Sequence, residues 1–173
     1  MNHKSLGIIG SLFFAVTPFL NIFGVITSTI GAILLYLAMN IVYREYREEK
    51  LLKYFMLADS LFYISMIILS VGIFMAFGLK VFFVLIPSFS LYSLALLVYT
   101  YILSGIFYIS SAVYFIKTFN SVTALSEIRT FSISAYLIGI SGLMLFTVVL
   151  GSIGLVLSLI AWILVGISFS QMK

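Results

Sequence analysis

The chain has 173 residues, 64% of them hydrophobic and only 8% charged, with net charge +4 and mean hydropathy +1.29. Soluble domains carry about a quarter charged residues, so nine basic and five acidic side chains exclude a water-soluble globule. Cysteine is absent and His3 is the one histidine, which excludes disulfides, thiolate nucleophiles, cysteine-ligated metals and haem ligated by two histidines of this chain.

Four charge-free runs set the layout: Ser5–Tyr43, Ser60–Leu79, Val81–Ile116 and Thr130–Met172. A membrane helix needs about 20 apolar residues, so the first, third and fourth runs must be divided. Thr17-Pro18-Phe19-Leu20-Asn21 breaks the first, because proline lacks an N–H and disfavours helix at the residue before it. This predicts helix one from Ser5 to about Leu20 and helix two over Phe23–Tyr43. Helix three follows over Tyr54–Gly78, and helix four starts after Pro87-Ser88-Phe89-Ser90, spanning Leu91–Lys117. Gly151-Ser152-Ile153-Gly154 divides the last run into Phe131–Leu150 and Ile153–Ser170. The expected fold is an all-α integral membrane bundle of six transmembrane helices in a single domain over residues 1–173, with Lys80–Pro87 a loop, a re-entrant turn or an extension of helix four.

Six crossings place Lys4, Arg44, Arg47, Lys50, Lys53, Lys117, Arg129 and Lys173 on one side and Lys80 alone on the other. The positive-inside rule makes the first side cytoplasmic, with both termini, in a cell membrane. Met1-Asn2-His3-Lys4 resembles a signal-peptide n-region, but no small-x-small cleavage site follows, and retention of the segment is expected. The positive charge therefore reads as topology and lipid headgroups, not nucleic acid.

The first and last hairpins look alike. Gly7-Ile8-Ile9-Gly10 recurs as Gly139-Ile140-Ser141-Gly142, and Gly24, Ser28, Ile30, Ile33 and Leu34 match Gly154, Ser158, Ile160, Ile163 and Leu164. Both hairpins begin on the same side, so this is a parallel repeat, unlike the inverted repeats common in transporters. Through the Gly-Ile-Ile-Gly opening, the Thr17-Pro18 turn, the Arg44–Lys53 charged loop, Phe131 and the closing Leu159–Phe169 stretch, the chain resembles a set of small archaeal membrane proteins known only as a domain of unknown function. The resemblance implies an archaeal multi-span protein and supplies no activity and no site residues.

Small residues spaced four apart are the first candidates: Gly24, Ser28 and Ala32 on helix two, Ala135 and Gly139 on helix five, Gly154 and Ser158 on helix six. Such rows let helix backbones approach closely in lipid, within one chain or between subunits. Asp59 is the acidic residue expected inside a span. An intramembrane carboxylate marks a functional site by default; pairing with Lys53, Arg44 or Arg47 near the interface is the structural alternative. Asn21 suits the turn after Pro18, and Asn40 could donate to Ser60 or Asp59. Tyr99, Tyr101 and Tyr108 on helix four could line a groove for a quinone or a lipid headgroup, or be satisfied by nearby serines and carbonyls. Arg44/Glu48 and Glu49/Lys53 sit four apart, which suits a helical elbow continuing into the cytoplasm, solvated or docking a partner. Its mixed sign argues against a polybasic lipid anchor.

No nucleotide-binding, metalloprotease or serine-hydrolase motif occurs. No catalytic, cofactor or metal residues are expected. The leading expectation is a non-enzymatic structural or accessory subunit of a larger membrane assembly, a respiratory one being a plausible host. Its partners would be membrane lipids and other membrane subunits or further copies of the chain. The alternative is a small transporter or channel with Asp59 as its proton or cation site.

Overall fold

The chain's first helix opens on a local cap: the Asn2 carboxamide oxygen accepts from the Ser5 N–H at 3.0 Å, satisfying a donor that the first turn would leave orphaned. In a computed structural model that describes residues 2–20, 23–77, 91–147 and 150–172, six α-helices follow in order. They are α1 (His3–Val16), α2 (Gly24–Tyr46), α3 (Glu49–Phe77), α4 (Leu91–Ser126), α5 (Arg129–Phe146) and α6 (Gly151–Gln171), with a 3-10 turn over Thr17–Phe19. Among the described residues there is no strand. α2, α3, α4 and α6 are long and apolar enough to cross a membrane, while α1 and α5 are shorter apolar helices. Asn21 and the Lys80–Pro87 segment lie outside the described residues.

The charged residues do not end the helices where expected. α2 continues past Tyr43 to Tyr46, α3 begins at Glu49 instead of Tyr54, and α4 runs through Lys117 to Ser126. The residues expected to form a Lys117–Arg129 loop are thus mostly helical. Charge ends a hydrophobic run, but lysine, arginine and glutamate are good helix formers. Lys117 is held against α3, its ammonium 5.7 Å from the Tyr54 ring and 5.2 Å from that of Tyr114, an arrangement that stabilises a cation beside an aromatic face. At the other end α5 stops at Phe146, short of Leu150.

Two-residue turns join α2 to α3 and α4 to α5, and both are built alike. Arg47 and Glu127 adopt left-handed backbone, with φ 54° and 61°. The Arg47 N–H donates to the Tyr43 carbonyl at 2.7 Å and the Glu127 N–H to the Thr123 carbonyl at 2.8 Å, the αL form of helix C-capping. The expected Arg44/Glu48 pairing along one helix is therefore broken at Tyr46, whereas Glu49 and Lys53 do share the start of α3.

Each helix packs on its sequence neighbours, and α6 returns to α1, closing a ring. The α2–α3 seam is the least extensive of these contacts. The ring encloses aromatic side chains rather than a pore. Phe14 stacks on Trp162 with centroids 4.5 Å apart, Phe115 meets Trp162 edge-on at 5.2 Å, and Phe131 meets Phe169 edge-on at 5.2 Å. The crevice between Phe62, Tyr108, Ala112 and Trp162 leaves no room for a water molecule. The outward stripe of α2, Phe23, Ile26, Ile30, Ile33 and Leu37, is exposed and apolar, as is that of α6, Ile153, Val156, Ile160, Ile163 and Ile167. Helices apolar on every side suit a membrane, not water.

The likeness between the first and last hairpins extends to the middle one. α2 buries Gly24, Ser28, Gly31, Ala32, Leu35, Ala38, Met39 and Val42. At matching spacing α6 buries Gly154, Ser158, Ala161, Trp162, Val165, Ser168, Phe169 and Met172, and α4 buries Ser104, Ser111, Ala112, Phe115, Thr118, Phe119 and Val122, with Tyr108 partly buried. Size is shared within a level: Trp162 corresponds to Ala32 and Ala112, so one large ring fills the space that two methyl groups leave. The expected glycine matches hold in part. A Cβ on Gly7 would strike Phe169 of α6 and one on Gly139 would strike Ile116 of α4, each on the preceding helix of the ring. Gly10 instead faces α2, the following helix, while Gly142 faces α4, so these two are not equivalent.

Candidate functional site

Hydroxyl groups hold the α3–α4 hairpin together, and they show what a satisfied polar site looks like in this bundle. Ser65 Oγ donates to the Ser104 carbonyl at 2.9 Å, Ser104 Oγ returns to the Ser65 carbonyl at 3.0 Å, and Ser111 Oγ donates to the Ala58 carbonyl at 2.7 Å. Further along, Ser93 Oγ reaches the Ala76 carbonyl at 3.2 Å. Without water in hydrocarbon, such groups must find partners within the protein. Between α5 and α6, Ser168 Oγ donates to Thr130 Oγ1 at 2.8 Å.

The small residues expected to pack helices do so within the chain. Gly24 closes on the Thr17 carbonyl, where a Cβ would sit 2.6 Å away, and Gly154 closes on the Leu145 N–H at 2.8 Å and the Ser141 carbonyl at 3.0 Å. Ser28, Ala32, Ala135 and Ser158 are buried, and Gly139 faces Ile116. All seven are turned toward neighbouring helices of the same ring.

The tyrosines do not converge on a groove. Tyr99 is exposed, Tyr101 donates to the Leu145 carbonyl, and Tyr108 turns inward between α5 and α6, toward Ser141 and Ser158. α4 carries them to different sides, because residues 99 and 101 differ by about 200° around a helix at about 100° per residue.

Asp59 behaves differently. It lies on α3, about 9 Å deeper than Lys53 at about 1.5 Å rise per residue, in a span of mean hydropathy 2.0. Its Oδ1 is buried and has no hydrogen-bond partner. Arg44, Arg47, Lys53 and Asn40, expected to pair with it, do not supply one: among the described residues no side chain donates to this oxygen. Six residues along α3 place Lys53 about 240° around the helix from Asp59 at about 100° per residue, while Arg44 and Arg47 stay at the charged end of α2. Among the described residues the other buried side-chain polar atom without a partner is His3 Nε2, at the start of α1.

One turn deeper than Asp59, Tyr63 crosses the α2–α3 seam, hydrogen-bonding Thr29 Oγ1 and approaching the Val25 carbonyl at 3.5 Å. Tyr63 is within electrostatic reach of Asp59. Thr29 Oγ1 and Ser28 Oγ donate to the same Val25 carbonyl, at 2.7 and 2.9 Å. The Tyr63, Thr29 and Ser28 hydroxyls are thus committed among themselves and to the Val25 carbonyl, and Asp59, one turn from Tyr63, shares the face of α3 that Tyr63 turns toward α2, in the least extensive seam of the ring.

Two other seams of the ring close on small residues. Ser11 Oγ of α1 comes within 2.6 Å of where a Cβ on Gly166 of α6 would lie, and Gly139 of α5 packs on Ile116 of α4. Each meets the preceding helix, and each allows close approach because it is small. Gly166 and Ile116 in turn match Tyr36 of α2, which is exposed, and the α2–α3 seam is bridged instead by the Tyr63 hydroxyl.

A family model described as "Protein of unknown function (DUF996)" matches residues 27–163. No curated protein and no solved structure matches the chain. The matched segment takes in Asp59, both two-residue turns, α3, α4, α5 and most of α2 and α6, and the chain belongs to this family.

Proposed function

We propose that this DUF996 protein is a non-enzymatic, six-span protein of an archaeal cell membrane that carries a proton or small cation by way of Asp59. The observation that carries the reading is the buried, unpartnered Asp59 oxygen in the least packed seam of an otherwise well-satisfied bundle. Intramembrane carboxylates are costly and are retained at ion and proton sites. The axis is filled by aromatic rings, so access to Asp59 runs through the α2–α3 seam, not down the centre.

Six crossings are supported by the closed ring, which keeps α1 and α5 alongside the four long helices. Both termini and the turns at Arg47 and Glu127 then face the cytoplasm, consistent with the distribution of lysine and arginine. The accessory-subunit reading, motivated by small-residue faces, few ionisable groups within the spans and little mass outside the membrane, comes second, since the small residues pack within the ring.

The test is flux in proteoliposomes loaded with proton- or cation-sensitive dyes. Asp59→Asn should abolish flux while thermal stability stays the same or rises, because the replacement removes an unpaired buried charge. Wild-type vesicles that move no ion, together with chains that co-purify stoichiometrically in mild detergent, would return the accessory-subunit reading to first place.

A further inference from the structure

We infer that the ligand of Asp59 is a proton rather than a metal cation, and that the α2–α3 seam is where it is exchanged; this rests on the reading of Asp59 as an ion site. The argument starts from ligand supply. A dehydrated metal cation requires about six oxygen ligands, and membrane transporters obtain many of them from carbonyls freed where spanning helices are broken. Here α2 runs unbroken over Gly24–Tyr46 and α3 over Glu49–Phe77, so the carbonyls beside Asp59 are held in their own helices. The Val25 carbonyl of α2, which Tyr63 approaches from α3, already receives Ser28 and Thr29. Among the described residues no group of three acidic or histidine side chains gathers anywhere. A single carboxylate flanked by committed hydroxyls cannot replace a hydration shell. It can take a proton, which leaves it neutral and compatible with hydrocarbon.

The surrounding charges fit the same ligand. α3 packs on α2 and α4. The basic group that α4 brings toward α3 is Lys117, and it lies over Tyr54 and Tyr114. The basic group near the end of α2 is Arg44, which donates nothing to the buried Asp59 oxygen. Tyr63 on α3 is the titratable neighbour, and its hydroxyl is directed to α2. Among the described residues no fixed cation therefore bonds the buried Asp59 oxygen, and protonation is what neutralises the carboxylate.

Packing adds the route. Where α6 meets α1 and where α4 meets α5, Ser11 and Gly139 let the helices close; the α2–α3 contact, on the face of α3 that carries Tyr63 and, one turn away, Asp59, is the least extensive of the ring. Opening the seam exposes the carboxylate with least loss of packing.

The experiment uses the full chain in phosphatidylcholine–phosphatidylglycerol vesicles with an entrapped pH-sensitive dye, a pH gradient, and valinomycin with potassium to balance charge. Wild type should dissipate the gradient at least tenfold faster than Asp59→Asn, which should match empty vesicles. Infrared difference spectra across a pH titration should show a carboxyl band that Asp59→Asn removes. Asp59→Ser, which leaves a small polar side chain that can bond its own helix, should fold, melt no lower than wild type and lose proton movement. Sodium, potassium or calcium uptake that depends on Asp59, without proton movement, overturns this inference and leaves the ion-site reading standing. Absence of any Asp59-dependent ion movement overturns both.

Discussion

Replacing Trp162 with alanine tests whether packing at the ring's centre, rather than lipid alone, holds the fold. Trp162 is 2% exposed and touches α1 and α4 through Phe14 at 4.5 Å and Phe115 at 5.2 Å. In a bilayer the transfer of apolar surface from water contributes little to helix association, because separated helices already lie in lipid. What remains is the void and the lost ring contacts. A void on the order of 100 Å³ costs about 2–3 kcal/mol at about 24 cal/mol per Å³. The two close ring pairs contribute about 0.5–1.5 kcal/mol each. Together the void and the lost ring pairs predict that Trp162→Ala destabilises by about 3–5 kcal/mol. The assay is denaturation in mixed micelles by sodium dodecyl sulfate, followed by far-UV circular dichroism, since Trp162 is the chain's single tryptophan and its fluorescence vanishes with it. Ala112 lines the same crevice, so Ala112→Phe alone should overpack, at about 1–3 kcal/mol, yet restore part of the loss in the Trp162→Ala background. A loss below about 1 kcal/mol for Trp162→Ala, or strict additivity in the pair, would refute the packing argument.

Three further outcomes can be measured with the same protein. Ser65→Ala and Ser104→Ala should each cost about 0.6 kcal/mol, and not more than about 1.7, as intramembrane hydrogen bonds do; the double variant should cost less than the sum, because the two hydroxyls also share a contact at 2.9 Å. Glu127→Gly should leave stability unchanged or raise it, since φ at 61° suits glycine; Glu127→Val should lower it, because a β-branched side chain fits left-handed backbone worse than glutamate does. With cysteine absent from the chain, Arg47→Cys gives a single label site, and an impermeant maleimide should reach it in lysed cells and not in intact ones.

How much of this could be read from the chain depends on what each signal measures. Hydropathy located all six helices, because an apolar run in lipid must bury its backbone polar groups in its own hydrogen bonds. It misplaced their ends, because the first charge marks the approach of headgroups and not the end of helix, as Lys117 shows nine residues before α4 stops. The turns at Arg47 and Glu127 carry no glycine or proline, so nothing local announced their left-handed backbone. The repeat between the outer hairpins was legible as matching glycines and serines. Its third copy was masked by Tyr108 and Phe115, where α2 has Ser28 and Leu35. The inward use of Gly24, Gly154 and Ala135 was one of two outcomes their spacing allowed, and the isolation of Asp59 from Lys53 depends on helix phase across two elements.

The looseness of the α2–α3 seam cannot come from its connection. Its turn is as short as the one between α4 and α5 and is capped the same way, Arg47 to Tyr43 as Glu127 to Thr123. The difference therefore lies along the helices, in the side chains that face each other. Where α6 meets α1, Gly166 lies against Ser11; where α4 meets α5, Gly139 admits Ile116. At least one partner is small in each. Between α2 and α3, Tyr63 bridges the seam by a hydroxyl bonded to Thr29, and Asp59 lies one turn from it on the same face of α3. Backbone proximity is what stabilises helix pairs in lipid, so the least extensive seam of the ring is also the one with least association energy. A residue that served only as packing would have no reason to be acidic there. An ion site needs both properties that the seam provides: a group whose charge state can change, and an interface weak enough to let the ion in and out.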